Sequence, residues 1–333
     1  MKNIKRILVI KSRGLGDVIT STPVITNLRL NFPKAYISFL TEKIPSEVLA
    51  KNKYIDEIII FKRGASFFED RNLIRKLRSK RFDLVIDLFG NFRTALITYL
   101  TNSPNRVGFA YRVRKYFYTI RIEPINPVYV VDFNLSLLRG IGMNIYTDRM
   151  HIPVNREDED FANDFLTKYA VGSKKRVGIF PGGSYATKRW EEDRFALLSD
   201  RLVDLGHRVF LFGGKSDYKV LNKVMAKMGR KPISIKDLPL MKFSAIVKNM
   251  NLFITNDTGP KYIAESFDVP TITLYGPSRM DTHHPPCGRH IGIKKSLPCS
   301  PCDKRSCEKF NCMRMITVDE VTNAAKKLLE PAQ

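Results

Sequence analysis

The chain has 333 residues, 44% of them hydrophobic, and a formal net charge of +23. That length suits two domains with proper cores, and no apolar run nears the roughly 20 residues that span a bilayer. Both halves share the basic surplus, which excludes a simple charged tail and points to nucleic acid, an anionic membrane surface or anionic substrates.

The start, MKNIKRILVIKSRG, is basic, but its apolar run is only Ile7–Ile10 and Lys11 ends it. This predicts a first strand rather than a secretory signal. A cytoplasmic protein with its five cysteines reduced is therefore expected. Further strand-like runs are Ala35–Leu40, Glu57–Phe61, Leu84–Asp87 and Arg106–Gly108. After an acidic stretch, Asn155–Asp164, they resume at Arg176–Phe180, Val209–Phe212, Leu252–Thr255 and Thr271–Tyr275. Helix-like segments lie between, at Val18–Asn31, Glu69–Ser79, Asp158–Tyr169, Asp193–Leu205, Tyr218–Met228, Phe243–Lys248 and from Lys261 to Phe267. Strands alternating with helices predict an α/β protein with parallel sheets covered on both faces. The two series predict two Rossmann-like domains, residues 1–160 and 161–333. A cleft between them is the default site, and the final helix could pack back on the first domain.

Four strand ends carry the residues of interest. The first reads GLGD: Gly14 and Gly16 follow the strand and Asp17 opens a helix. Ile19 stands where a dinucleotide fingerprint has its third glycine, so that reading is weak. Asp17 is either a helix N-cap or a general base at the sheet edge. The second is PGGS, residues 181–184. Gly182, Gly183 and Ser184 let backbone amides approach a phosphate, and Lys188 and Arg189 follow with positive charge. The third, with Gly213, Gly214 and Asp217, offers a carboxylate for a ribose or for a helix cap. The fourth is NDTGP, where Asp257, Thr258 and Gly259 either cap a helix or present N–H groups to an anion. One such loop is weak evidence, but three in the second half suggest a nucleoside diphosphate there, leaving the first half to hold an acceptor.

Two segments concentrate the charge. Lys62–Arg81 has eight Lys and Arg against Glu69 and Asp70. Arg106–Arg121 has Arg112, Arg114 and Lys115 among aromatics and no acid. Basic residues alternating with aromatics suit a membrane interface or a nucleic-acid groove; a solvated basic face is the plainer reading.

Taken together, ILVIKSRGLGDVITSTPVITNLR, PGGSYATKRWEEDRFALLSDRL, LFGG, NDTGP and VPTITLYGPS resemble glycosyltransferase family nine, the ADP-heptose:lipopolysaccharide heptosyltransferases. The resemblance implies the GT-B fold, two Rossmann-like domains facing across a cleft, and metal-free transfer of heptose with inversion. It implies Asp17 as catalytic base, Lys188 on the departing diphosphate and Ser184 in the phosphate loop. Asp257, Thr258 and Gly259 would hold the sugar and pyrophosphate, with Asp217 near the ribose. Many members have a histidine where this chain has Tyr262. The implied partners are ADP-heptose or a related nucleotide sugar and a lipid A-core acceptor, not nucleic acid. The enzyme would be peripheral on the inner face of the inner membrane. The basic segments, with Gly14, Gly16, Arg112, Arg114 and Lys115, would meet the acceptor and the anionic surface. Alternatives are a GT-B enzyme using another sugar or acceptor and, from a different class, a basic nucleic-acid-binding protein.

Cys299, Cys302, Cys307 and Cys312 are spaced C-x2-C-x4-C-x4-C, and Cys287 stands apart. Four thiols so close resemble a structural zinc knot. An iron–sulfur cluster, a disulfide and a reduced loop without metal are the other readings. His283 and His284 could line a cleft or help a metal site, although exposed loop histidines are commoner.

Overall fold

A computed structural model describes residues 3–12, 14–125, 128–169 and 175–330. The chain forms two compact units, Met1–Pro153 and Val154–Gln333. The division falls before the expected position at 160 because the helix Arg156–Tyr169 packs on the helix Leu240–Lys248. An ion pair of 2.6 Å between Glu159 and Lys248 ties the two.

In the first unit β1 (Arg6–Ile10), β2 (Tyr36–Thr41), β3 (Glu57–Ile60), β4 (Leu84–Asp87), β5 (Asn105–Phe109) and β6 (Ile120–Ile122) form one parallel sheet, ordered β3-β2-β1-β4-β5-β6. In the second, β7 (Arg176–Phe180), β8 (Arg208–Gly213), β9 (Ile233–Lys236), β10 (Leu252–Asn256), β11 (Thr271–Tyr275) and β12 (His290–Lys294) repeat the pattern as β12-β11-β10-β7-β8-β9. The α/β class with doubly wound parallel sheets is thus as expected. Each unit winds outward on one side and then returns to the middle. The switch points lie between β1 and β4 and between β7 and β10, where open α/β sheets bind ligands at their carboxyl ends.

The central strands read as continuous apolar runs because both faces are covered. Ile7–Ile10 and Leu252–Ile254 are wholly buried. The first series of helices comprises α1 (Leu15–Ile19), α2 (Thr22–Asn31), α3 (Phe67–Ser79), α4 (Phe92–Leu100) and α5 (Val130–Gly140). The second comprises α6 (Arg156–Tyr169), α7 (Glu192–Asp204), α8 (Tyr218–Lys227), α9 (Leu240–Lys248), α10 (Gly259–Ser266) and α11 (Val318–Leu329). The closing helix α11 buries Val321, Ala325 and Leu329 in the core of the second unit.

Three strands, β6, β9 and β12, were not expected, and all three are sheet edges. These three alternate apolar and polar residues, as in ISIK and HIGIK, and offer no continuous apolar run. The expected helix Val18–Asn31 is two helices, since the chain turns at Thr20–Ser21 and Pro23 opens the next.

Candidate active site

In the second unit β10 and β7 run side by side, pairing Thr255 with Phe180. Their ends are stitched by Asn256, which is fully buried. Its amide donates to the carbonyls of Pro181 at 3.0 Å and Gly182 at 2.8 Å, and its Oδ1 accepts from the Trp190 N–H at 3.1 Å. The PGGS loop is therefore held against NDTGP by one side chain. Gly182 lets the neighbouring strand end close in: a Cβ there would lie 2.3 Å from Asp217 Oδ1. Asp217 Oδ2 in turn accepts from the Gly214 N–H at 3.3 Å. Burial pushes the Asp217 carboxyl up, against the pull of that N–H and of Arg189. Arg189 itself is tied to its own loop, donating to the Gly183 carbonyl at 2.9 Å.

Asp257, at the end of β10, is the focus. It is buried, with Oδ2 2.9 Å from Lys188 Nζ and Oδ1 3.5 Å from Lys261 Nζ. Burial alone would raise its pKa, but Lys261, Lys188 and His283 together hold the carboxyl well below the usual carboxylate range. Asp257 is thus an ionised anchor for two ammonium groups. Lys188 keeps 21% of its side chain exposed, so it can turn a charge-assisted hydrogen bond toward an incoming phosphate. Ser184 is exposed, and Thr258 and Gly259 are partly exposed. Tyr262 is buried, its hydroxyl 3.1 Å from His283 Nδ1. The residues of PGGS, Lys188, Gly213, Gly214, Asp217, Asp257, Thr258 and Gly259 thus lie at or follow the ends of β7, β8 and β10, while Tyr262 lies inside α10 and the four clustered cysteines lie beyond β12.

In the first unit the cap reading of Asp17 is corrected. The N-cap of α1 is Gly14, at φ 85°, with no side-chain cap bond, and Asp17 is the third helical residue. Its carboxylate folds back over Gly14, where a Cβ would meet Asp17 Oδ2 at 2.3 Å. Asp17 is 46% exposed and stands 3.5 Å from Lys11 Nζ. Lys11 is buried and donates to the Leu88 carbonyl at 3.0 Å, joining the ends of β1 and β4. Gly16 is buried within α1. At the end of β4, the buried Asp87 accepts from the N–H groups of Phe89 and Gly90 and from the Tyr118 hydroxyl. Burial pushes its carboxyl up against those bonds.

The basic–aromatic segment becomes a 3-10 turn, Arg112–Phe117, followed by β6. Arg114 is not a loose cation: it donates to the Gly90 carbonyl and lies 5.1 Å from the Tyr111 ring centroid. Arg112 is exposed, and Lys115 and Arg121 lie 5.5 and 5.6 Å from the Tyr116 ring centroid. Tyr116 is 65% and Phe92 59% exposed, and Phe92 and Tyr99 both set their rings edge-on to Phe117. In the Lys62–Arg81 segment Lys62 pairs with Glu69, Arg63 with Glu42, and Lys76 and Lys80 with Glu57. Part of that charge is therefore neutralised locally.

Three contributors were missed. Lys11 was noted only as the residue that ends the first strand. Lys261 lies four residues beyond Asp257, a helical spacing that flags the pair. His283 and His284 read in the sequence more as exposed loop histidines than as site residues, but both are partly buried. Cys299, Cys302, Cys307 and Cys312 all line one cavity of about 170 Å³ with Thr187, next to Lys188. Thr187 donates to the Lys304 carbonyl at 2.7 Å, so this loop backs the Lys188 turn. Among the described residues no three His, Cys, Asp or Glu side chains stand at metal-holding spacing.

The model of glycosyltransferase family 9 (heptosyltransferase) matches residues 71–312. Lipopolysaccharide heptosyltransferase 3 of Escherichia coli strain K12 is 28% identical over 281 residues, covering 78% of this chain and 79% of that one. The crystal structure of the glycosyl transferase family 9 from Veillonella parvula DSM 2008 superposes with a TM-score of 0.86 at 27% identity, over 98% of each chain. The E. coli heptosyltransferase WaaC with ADP-2-deoxy-2-fluoro heptose superposes with a TM-score of 0.73 at 18% identity, over 97% of this chain and 99% of that one. The GT-B class implied by the sequence motifs is the class of these heptosyltransferases.

Proposed function

The chain belongs to glycosyltransferase family 9 and is a transferase, and from that premise we propose that it moves heptose from ADP-heptose to the inner core of lipopolysaccharide with inversion. The observation that carries this reading is the ionised Asp257 between Lys188 and Lys261, set among glycine-bearing strand ends. Displacing a nucleoside diphosphate builds negative charge on the leaving oxygen. Lys188 and the N–H groups of PGGS and of the α10 start offset it. Asp217 takes the ribose side. In the first unit Asp17 is the general base that removes the acceptor hydroxyl proton as the oxygen attacks the anomeric carbon. Lys11 holds its carboxylate in place. The acceptor is polyanionic and lipid-anchored. Arg112, Lys115 and Arg121 around the exposed Tyr116 and Phe92 suit it and the anionic surface around it. No helix among the described residues is long and apolar enough to cross a membrane, so association at the membrane surface fits the chain.

The test is product analysis with ADP-heptose and truncated lipopolysaccharide acceptors, preceded by thermal shift with ADP, UDP and GDP. ADP is expected to stabilise the protein most. Asp17→Asn should keep ADP binding and lose about 10²–10⁴-fold in kcat. Stabilisation by UDP or GDP instead would move the reading to another nucleotide sugar. Full turnover by Asp17→Asn would remove Asp17 from the chemistry.

A further inference from the structure

Lys261 is charged yet has no exposed surface. Its ammonium stands 3.5 Å from Asp257 Oδ1, donates to the Tyr275 hydroxyl at 3.0 Å and donates to the His283 carbonyl. It also lies 4.1 Å from the Tyr262 ring centroid. The ammonium thus has one ion-pair partner just past β10 and two hydrogen-bond acceptors, one at the end of β11 and one on the short helical turn Met280–His283. A buried ammonium persists only when paired and hydrogen-bonded in this way.

The consequence falls on His283. Lys261 fixes its backbone, and the next residue, Tyr262, fixes its ring through the 3.1 Å contact between its hydroxyl and Nδ1. A partly exposed imidazole is therefore held at two points, near enough to Asp257 to help keep that carboxylate ionised. The surroundings of a carboxylate suit hydroxyl groups, whereas a diphosphate is better served by Lys188 and the strand-end N–H groups. We infer that His283 recognises the sugar unit of the nucleotide sugar, with Tyr262 and Lys261 as its positioning residues. This rests on the nucleotide-sugar reading above.

Calorimetric titration of the full chain with ADP and with ADP-heptose tests it. For His283→Ala the ADP Kd should stay within about twofold, while the ADP-heptose Kd rises about tenfold, as expected for one lost polar contact. His283→Gln should restore part of the loss. Tyr262→Phe, which removes only a hydroxyl, should show a smaller loss in the same direction and keeps the question decidable if His283→Ala does not fold. Equal weakening of both ligands, or of neither, would overturn the inference, since a merely structural role makes no distinction between them. Failure of the wild type to bind either ligand would instead overturn the nucleotide-sugar reading, and this inference with it.

Discussion

At the head of β12, His290 places its Nδ1 2.9 Å from Thr271 Oγ1. Burial pushes its pKa down from 6.5 to about 4, and His284, Arg289 and Lys261 push the same way against Asp268. Between those two values the unfolded chain binds more protons than the native one. The stability that neutral His290 contributes is therefore complete above pH 6.5 and lost as pH falls toward about 4. That loss is on the order of 3 kcal/mol. Asp257 acts in a lower window, because its depressed pKa leaves its contribution intact above about pH 4 and removes it below. Calorimetry from pH 8 to 3 should show Tm falling through both windows, and His290→Gln should flatten the upper one only. An unchanged wild-type Tm between about pH 7 and 4.5 would contradict the assignment. Single residues were unequally legible in the sequence. Asp17 and Asp257 stand close to glycines at strand ends and Lys188 follows PGGS within a few residues, so their type and position mark them. Lys261 is marked only by its four-residue spacing from Asp257, and His283 not at all: a lysine inside a helix reads as surface until a hydroxyl and a carbonyl are folded around it as well.

Elements show the same split. The GLGD, PGGS and NDTGP turns were placed correctly because strand, glycine and helix start follow each other within a few residues. The basic–aromatic segment was read only as composition. Folded, it is a 3-10 turn whose Arg114 locks to Gly90 beyond β4, while Arg112, Lys115 and Arg121 surround exposed rings. Arg114 is thus a structural contact, and a charge change there would disturb the turn. Reversing Arg112, Lys115 and Arg121 to Glu should abolish sedimentation with anionic vesicles while leaving Tm within a few degrees and ADP binding unchanged. Each basic residue near such a surface is worth about 1 kcal/mol. Vesicle binding that survives all three reversals would place the lipid-facing surface elsewhere. The edge strands β6, β9 and β12 escaped notice because half-covered strands trade apolar continuity for alternation.

For the whole molecule, the two units have the same strand order but different strand-end chemistry. The second gathers three glycine-bearing ends and an ionised carboxylate between lysines; the first offers an exposed carboxylate beside a buried lysine. Hydrogen exchange with and without ADP should therefore slow amides at 181–184, 213–217 and 256–262 and leave those after β1 and β4 unchanged. Protection confined to the first unit would reverse the roles given to the two. The sequence by itself determined the fold class, the two series of strands and the turns that face ligands. These depend on periodicity and on residues whose backbone behaviour is local, namely glycine, proline and capping side chains. Which charges act on one another is settled by the folded arrangement of distant segments. Ionisation at Asp257, the burial of Lys261 and Lys11, and the standing of His283 beside the site are set by groups from separate strands and turns. Apart from the four-residue spacing of Asp257 and Lys261, no local pattern encodes those distances.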